Sequence, residues 1–276
     1  MKDEELIHTI RSIYYNLDRV RNVILPFMFN REVAIFTPKD TENYTYVRGL
    51  RFDNISFFDS NFIKFIRLIP DNKNLYISCA KYTYIPTFIF KLSERNEETK
   101  EWFSNGAKKS IYDYDMLFDF DNPNRKNRED FINECQAFFN LLNVNKVCFF
   151  VIMSGKNFHF VIDGDTWGFN KDDLENSLKN CKQIVLNIEN ILGLKYLDTK
   201  GVGMLSKLRK CPFSLVEHKV CILMDEITDV KTYAEELLKR DDKTFFQNYK
   251  FKKQNDLGTE QNKKNFQDFL KYNFIE

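Results

Sequence analysis

Long apolar runs are missing from this sequence. The longest, such as residues 147–153, are far too short to cross a bilayer as a helix. The first residues, Met1 to Glu5, also lack the basic and then apolar pattern of a signal peptide. We therefore expect a globular, non-secreted protein with no membrane partner, located in the cytoplasm or, in a eukaryote, in the nucleus.

Closely spaced cysteine pairs are missing as well. The chain has six cysteines, but no two of them have the C-x2-C spacing that a zinc knuckle or a redox motif requires. We expect most of them to be reduced core residues, and we predict no structural zinc.

An excess of positive charge is the third absence. Lys and Arg number 41 and Asp and Glu number 40, which gives a formal charge of +1. This balance excludes the strongly basic surface of a passive nucleic-acid coat. It does not exclude an enzyme in which an acidic metal site and a basic phosphate-binding groove nearly cancel.

Helical and strand-like patterns alternate along the chain. Residues 5–25 have apolar positions at helical spacing, and Pro26 ends the pattern. Further helices are predicted over residues 60–68, 128–142, 171–192 and 230–238. Strands are predicted over residues 31–37, 44–47, 75–79, 82–90, 115–120, 146–153, 158–163 and 220–224. This order favours an α/β or α+β domain over residues 1–240, with mixed sheets flanked by helices.

The last part of the chain is polar and charged. Phe266, Phe269 and Leu270 form its clear apolar stripe. We interpret residues 241–276 as a polar tail that is mobile or docks on another surface, and its Lys and aromatic residues over 243–253 suit nucleic acid or another subunit equally.

Two carboxylates stand two residues apart at the end of a predicted strand. Asp119 and Asp121 should point to one face of the sheet, while Phe118 and Phe120 point to the other. Adjacent carboxylates suit Mg²⁺ or Mn²⁺ that bridges substrate phosphates. By itself, however, a D-x-D pattern is better explained as a strand end before the turn at Asn122.

Two later segments could bind phosphate groups. A predicted hairpin places Ser154, Lys156 and His159 at or beside a glycine-containing turn, which offers hydrogen-bond donors to a triphosphate. Asp198 precedes a basic cluster that a Pro-Phe-Ser turn interrupts. The polar residues of this second segment include Arg209, Lys210, Ser214 and His218. A lone histidine is more often structural, and a charge cluster is more often a solvated face.

In this order, the three elements resemble the catalytic (small) subunit of archaeal and eukaryotic DNA primases. In that family an apolar strand ends in D-x-D, a Ser-Gly turn leads into a His-bearing strand, and a later Asp precedes a basic residue and a Pro-x-Ser turn. Weaker similarity extends into the N-terminal half, so the resemblance covers about residues 10–225. Several short motifs in order are more specific than any one of them.

The resemblance implies a primase-type catalytic core and a two-metal nucleotidyl transfer. Asp119, Asp121 and Asp198 would be catalytic and would bind two Mg²⁺ or Mn²⁺ ions. Nucleotide phosphates would be bound by Ser154, His159 and Lys210, with further contacts from Lys156, Arg209, Ser214 and His218.

Three departures from the family pattern stand out. No cysteine pair follows D-x-D, the helical insertion shrinks to about residues 170–193, and the histidine expected two residues after Ser214 is Val216. His218 could replace it after a local change in length.

The resemblance leaves three functions open. The first is a replicative primase that makes short primers from NTPs on single-stranded DNA with a large partner subunit. The second is a stand-alone primase-polymerase, plasmid, viral or repair-related, that extends with dNTPs. The third is a non-catalytic family member that binds nucleic acid or a replication partner. Arg31, Arg48 and Arg51 could contact template phosphates, but such arginines are as often ordinary surface charge.

Overall fold

The computed structural model describes residues 24, 27–36, 47–50, 74–84, 90–91, 97, 101, 105–122, 127–154, 157–212, 214–216, 219–220, 222–224 and 260–274. The helices predicted over 60–68 and 230–238, and all of the N-terminal helix but Ile24, lie outside these residues, as does most of the strand predicted over 44–47. The chain divides into two compact units. The first contains Met1–Tyr112 and Leu205–Ile222, and the second contains Asp113–Met204 and Leu223–Glu276.

The first unit is built on an antiparallel sheet in the order β10-β3-β1-β2-β4. Its strands are β1 (Arg31–Phe36), β2 (Val47–Leu50), β3 (Asn74–Tyr82), β4 (Phe90–Lys91) and β10 (Leu208–Lys210). The short helix α1 (Ala107–Ser110) leads into β5 (Ile111–Tyr114), which also pairs with β3. A small hairpin joins β11 (Leu215–Val216) to β12 (Lys219–Val220).

One strand of this unit differs from the prediction. The patterns over residues 75–79 and 82–90 predict two strands, but β3 runs unbroken from Asn74 to Tyr82, and Thr83 lies in a bend. The backbone N–H and the hydroxyl of Thr83 both donate to the Ser110 carbonyl, at 2.7 and 3.0 Å. These bonds follow the end of β3, and residues 85–89 lie outside the described part of the chain.

The second unit contains a sheet in the order β13-β7-β8-β6-β9. Its strands are β6 (Met116–Phe120), β7 (Phe150–Ser154), β8 (Asn157–Ile162), β9 (Leu197–Asp198) and β13 (Ile222–Met224). The pairs β7–β8, β8–β6 and β6–β9 are antiparallel. The hairpin predicted at Ser154 is confirmed, because Ser154 pairs with Asn157 across a turn of two residues.

The strand predicted over 146–153 begins later than expected. Lys146 has a positive φ of 54°, and the N–H of Val147 bonds back to the carbonyl of Leu142 at 3.0 Å. The apolar residues that follow α2 (Arg128–Val144) therefore complete the end of the helix first, and β7 starts at Phe150.

Aromatic packing fixes α2 against one face of this sheet. The helix buries residues spaced three and four apart, as an amphipathic helix does. Phe138 packs against Phe118, Phe120 and Phe160 with ring centroids 4.9 to 5.3 Å apart. All four rings are almost fully buried.

The helix predicted over residues 171–192 is present, and a glycine follows its last residue. A 3-10 turn (Lys171–Asp173) leads into α4 (Leu174–Leu192), and the short α3 (Gly164–Trp167) precedes them. Gly193 ends α4 in the left-handed conformation at φ 63°. In the described parts of the chain, no helix is long and apolar enough to span a membrane.

The C-terminal segment is partly a packed helix and not only a polar tail. Residues Glu260–Phe274 form α5, which contacts α3 and α4 of the second unit. Phe266, Phe269 and Leu270 are buried, so the stripe assigned to docking is covered within the chain itself. The catalytic domain assigned to residues 1–240 stays a prediction, but the helix belongs with the second unit. Antiparallel sheets flanked by helices confirm the α+β class.

Candidate active site on the second sheet

Strand β6 carries two carboxylates on one face. Asp119 lies in the strand and Asp121 follows its last residue, so the alternation of the strand directs both to the face opposite the phenylalanines. The predicted separation into an acidic face and an aromatic face is confirmed on the aromatic side, where Phe118 and Phe120 pack against α2.

Strand β9 brings the third carboxylate to the same face. Asp198 is the register partner of Asp119, and residues directly opposite each other on antiparallel strands share a face. The pairing continues past β6, since the N–H of Asp121 donates to the carbonyl of Tyr196 at 2.9 Å. The N–H of Lys200 donates to Asp198 Oδ1 at 3.0 Å and orients that carboxylate.

The histidine predicted to bind phosphate contacts a carboxylate. His159 on β8 is the register partner of Asp119 on the side away from Asp198, and its Nε2 lies 3.2 Å from Asp119 Oδ1. The residue is 5% exposed, and Nδ1 has no hydrogen-bond partner among the described residues. The imidazole therefore orients Asp119, and its contact with a nucleotide stays a prediction.

Asn157 is a site residue that the sequence patterns did not reveal. Its Nδ2 donates to Asp121 Oδ1, and its Oδ1 accepts from the N–H of Asn122 at 3.3 Å. The side chain thus ties the start of β8 to the end of β6. The sequence did contain one signal for Asn157. It is a polar residue two positions before the candidate histidine, at the same end of the hairpin.

Repulsion among the carboxylates is visible at Asp121. Burial raises the pKa of its carboxyl above the usual value, and the charges of Asp119 and Asp198 raise it further. The Asn157 hydrogen bond and His159 act in the opposite direction. A cation beside Asp121 would offset this repulsion and stabilise its ionised form.

No group of three His, Cys, Asp or Glu in the described ranges is close enough to hold a metal ion. The donor chemistry nevertheless fits Mg²⁺ or Mn²⁺, because such ions take one or two protein carboxylates and complete their coordination with water and substrate phosphates. Asp119, Asp121 and Asp198 would supply those carboxylates.

A cleft of about 290 Å³ lies elsewhere in this unit. It is lined by residues of α3, α4 and α5, with Gly168, and includes none of the site residues. We therefore locate the candidate site by the chemistry of its carboxylates and not by this cleft.

No family model and no curated protein matches the sequence. Among solved structures, the chain is similar to the polymerase domain of Mycobacterium tuberculosis Ligase D in complex with DNA. The TM-score is 0.47 at 10% sequence identity, over 85% of this chain and 90% of that chain. Any assignment of function therefore depends on the residues of the site itself.

The predicted phosphate ligands of the basic segment lie in the first unit. Lys210 is half-buried, hydrogen-bonds to the hydroxyl of Tyr76 and sits 3.8 Å from the centre of its ring. Arg209 is 1% exposed and so lies in the interior of the unit. Their predicted place beside the carboxylates stays a prediction.

Ser214 has a structural role that was not expected. The residue is fully buried, and both its N–H and its hydroxyl donate to the carbonyl of Cys211, at 3.1 and 2.6 Å. Pro212 lies in a turn, as predicted for the start of this segment. The serine hydroxyl donates to a carbonyl three residues earlier, and its contact with a nucleotide stays a prediction.

Arg31 is held by main-chain carbonyls of its own unit, and its contact with a template stays a prediction. It is 5% exposed, and its guanidinium donates to the carbonyls of Ser78 and Cys79 at 2.8 and 2.9 Å. The sequence pattern, an arginine at the start of a predicted strand, does not indicate that its side chain is buried. Arg48 lies in β2, while Arg51, Lys156 and His218 lie outside the described residues.

Proposed function

We propose that the chain is a nucleotidyltransferase that adds nucleotides to a strand on a single-stranded DNA template. The observation that carries this proposal is the carboxylate set on one sheet face: Asp119 faces Asp198 on the next strand, and Asp121 follows two residues later. Such a set serves phosphoryl transfer, which needs positioning and charge neutralisation more than covalent chemistry.

The chain's own residues hold the carboxylates in place. His159 contacts Asp119, Asn157 donates to Asp121, and the Lys200 N–H donates to Asp198. Three separate partners restrict three carboxylates, so little reorganisation is needed when substrate arrives. Divalent ions bound there would lower the pKa of an attacking 3′-hydroxyl and stabilise the leaving pyrophosphate.

The finer proposal is primer synthesis of the primase type. It is supported by the order of the motifs, with D-x-D, the Ser-Gly hairpin and the later Asp in the sequence order of that family. By the same resemblance, NTPs or dNTPs are the substrates and a primase large subunit is a partner.

A primer-synthesis assay on single-stranded DNA tests the proposal. We expect incorporation with Mg²⁺ or Mn²⁺, and we expect Asp119→Ala with Asp121→Ala to reduce it by about 10³-fold or more, since charge stabilisation of that size is lost. Asp172→Asn is the matched control, because Asp172 is exposed on the 3-10 turn, and it should retain wild-type activity.

The nucleotide that is incorporated distinguishes a primase from a stand-alone polymerase. Primers made from NTPs support a primase, and extension with dNTPs alone supports a stand-alone polymerase. If the wild type incorporates nothing under any of these conditions, or the double variant incorporates as well as the wild type, the proposed mechanism is wrong.

A further inference from the structure

A carboxylate of helix α2 reaches the segment that leads into β9. Glu134 accepts two main-chain N–H groups, one on each oxygen: Lys195 donates to Oε2 and Tyr196 donates to Oε1, both at 2.9 Å. Hydrogen bonds to an ionised acceptor are stronger than neutral ones, and two parallel bonds also fix orientation.

The clamped segment is short and lies directly before Asp198. It begins after Gly193, where α4 ends, and only Leu197 separates it from Asp198. On its other side, the carbonyl of Tyr196 accepts the N–H of Asp121. Tyr196 is therefore bonded to α2 through its N–H and to the end of the D-x-D strand through its carbonyl.

Side-chain packing supports the same junction. The ring of Tyr196 meets Phe131 of α2 edge to face, with centroids 5.3 Å apart. Phe131 in turn packs on Phe158 of β8 at 5.9 Å. The helix thus contacts both neighbours of β6 at the level of the carboxylates.

A strand of two residues has little pairing of its own. The register partners of β9 on β6 are two residues, which face Leu197 and Asp198, and one further backbone bond joins Asp121 to Tyr196. Its position along β6 decides whether Asp198 stands opposite Asp119, because a shift of one residue moves a side chain to the other face. Contacts outside so short a ladder can therefore help to fix this register.

We propose that Glu134 is a positioning residue for Asp198. Its carboxylate fixes the Lys195–Tyr196 peptides, and through them it sets the register that places Asp198 beside the D-x-D pair. The inference rests on the proposed function. It adds a fourth acid that acts through backbone contacts and not by touching substrate or metal.

Glu134→Ala removes both acceptors, and Glu134→Gln keeps one while placing an amide NH2 group against the other donor. Glu129→Gln is the matched control, since Glu129 lies exposed on the first turn of the same helix. Direct Mn²⁺ binding to the full chain would be measured by electron paramagnetic resonance, together with amide hydrogen exchange over residues 194–200 and thermal unfolding.

We expect Glu134→Ala to weaken Mn²⁺ binding about 10-fold, the size typical of lost outer contacts at metal sites. Exchange over 194–200 should accelerate, and Glu134→Gln should show smaller changes of both kinds. Glu129→Gln should match the wild type in both measurements.

Two results would overturn the inference. One is a Glu134→Ala chain that unfolds at a lower temperature but binds Mn²⁺ as the wild type does, which would make the clamp purely structural. The other is a wild type that binds no Mn²⁺ at this site. A wild type that binds Mn²⁺ through Glu134-dependent contacts but never incorporates nucleotides refutes the polymerase proposal and leaves the positioning role standing.

Discussion

Asn157 and His159 lie two residues apart on β8, and each contacts one carboxylate of the neighbouring strand. The two partners and the two carboxylates have the same spacing of two residues. On paired antiparallel strands, residues i and i+2 of one strand face residues j and j−2 of the other, so each partner meets one carboxylate. At the scale of single residues, the site is therefore a set of acid and partner pairs.

Removing the partner of Asp121 tests this pairing. We expect Asn157→Ala to lower the rate of nucleotide incorporation about 10-fold with little loss of stability, since the carboxylate remains but is no longer oriented. Steady-state kinetics on a primed template would measure the effect.

The chain offers a close control for that variant. Asn176 also donates to a carboxylate, that of Asp173, at 3.0 Å, but on the exposed start of α4. Asn176→Ala should leave incorporation unchanged. Equal rates for the two variants would mean that the Asn157 contact has no part in the reaction.

At the scale of elements, the turn after β9 is held against α4 by a close backbone approach. Gly203 has φ +71°, and a Cβ added there would lie 2.4 Å from the carbonyl oxygen of Leu178. Only glycine satisfies both conditions, so the turn that follows Asp198 rests directly on the helix backbone.

Two glycine substitutions separate the cost of the left-handed backbone from the cost of the close approach to α4. Gly193→Ala meets nothing within 4 Å and should cost only the left-handed backbone strain, about 1–2 kcal/mol. Gly203→Ala adds a steric clash, and we expect it to cost about 3 kcal/mol or more. Urea unfolding of the two variants measures the difference, and equal losses would show that the turn can move off α4 freely.

At the scale of the whole molecule, the sequence predicted the regular elements around the site well and the connections between distant parts poorly. β6, β8 and α2 appear within two residues of the predicted bounds, because alternation and helical spacing are local properties. Glu134 was missed because its partners lie 61 and 62 residues away and are backbone groups. No side-chain pattern signals such a bond.

The C-terminal helix shows the same limit. Its apolar stripe was identified correctly, but a stripe does not name the surface that covers it. The burial of Arg31 and Ser214 was hidden for a related reason, since both are polar residues whose side chains donate to main-chain carbonyls.

The covered stripe of α5 leads to a prediction for the whole chain. Phe269 is 1% exposed, and Tyr272, on the same helix, is 74% exposed. We expect Phe269→Ala to reduce the free energy of unfolding by about 3–5 kcal/mol and Tyr272→Ala to leave it nearly unchanged. Urea unfolding checks both, and a stable Phe269→Ala chain would restore the interpretation of this segment as a loosely attached tail.

The difference between the two faces of β6 also disfavours incorrect strand pairing during folding. If this strand paired one residue out of register, two carboxylates would enter a cluster of phenylalanine rings and two of those rings would take their place in water. Such a mispaired chain would be heavily penalised before any substrate is met. The acids proposed to bind a metal ion therefore also favour the native strand register. Replacing them with neutral residues would lower the free-energy cost of misregistered folding intermediates.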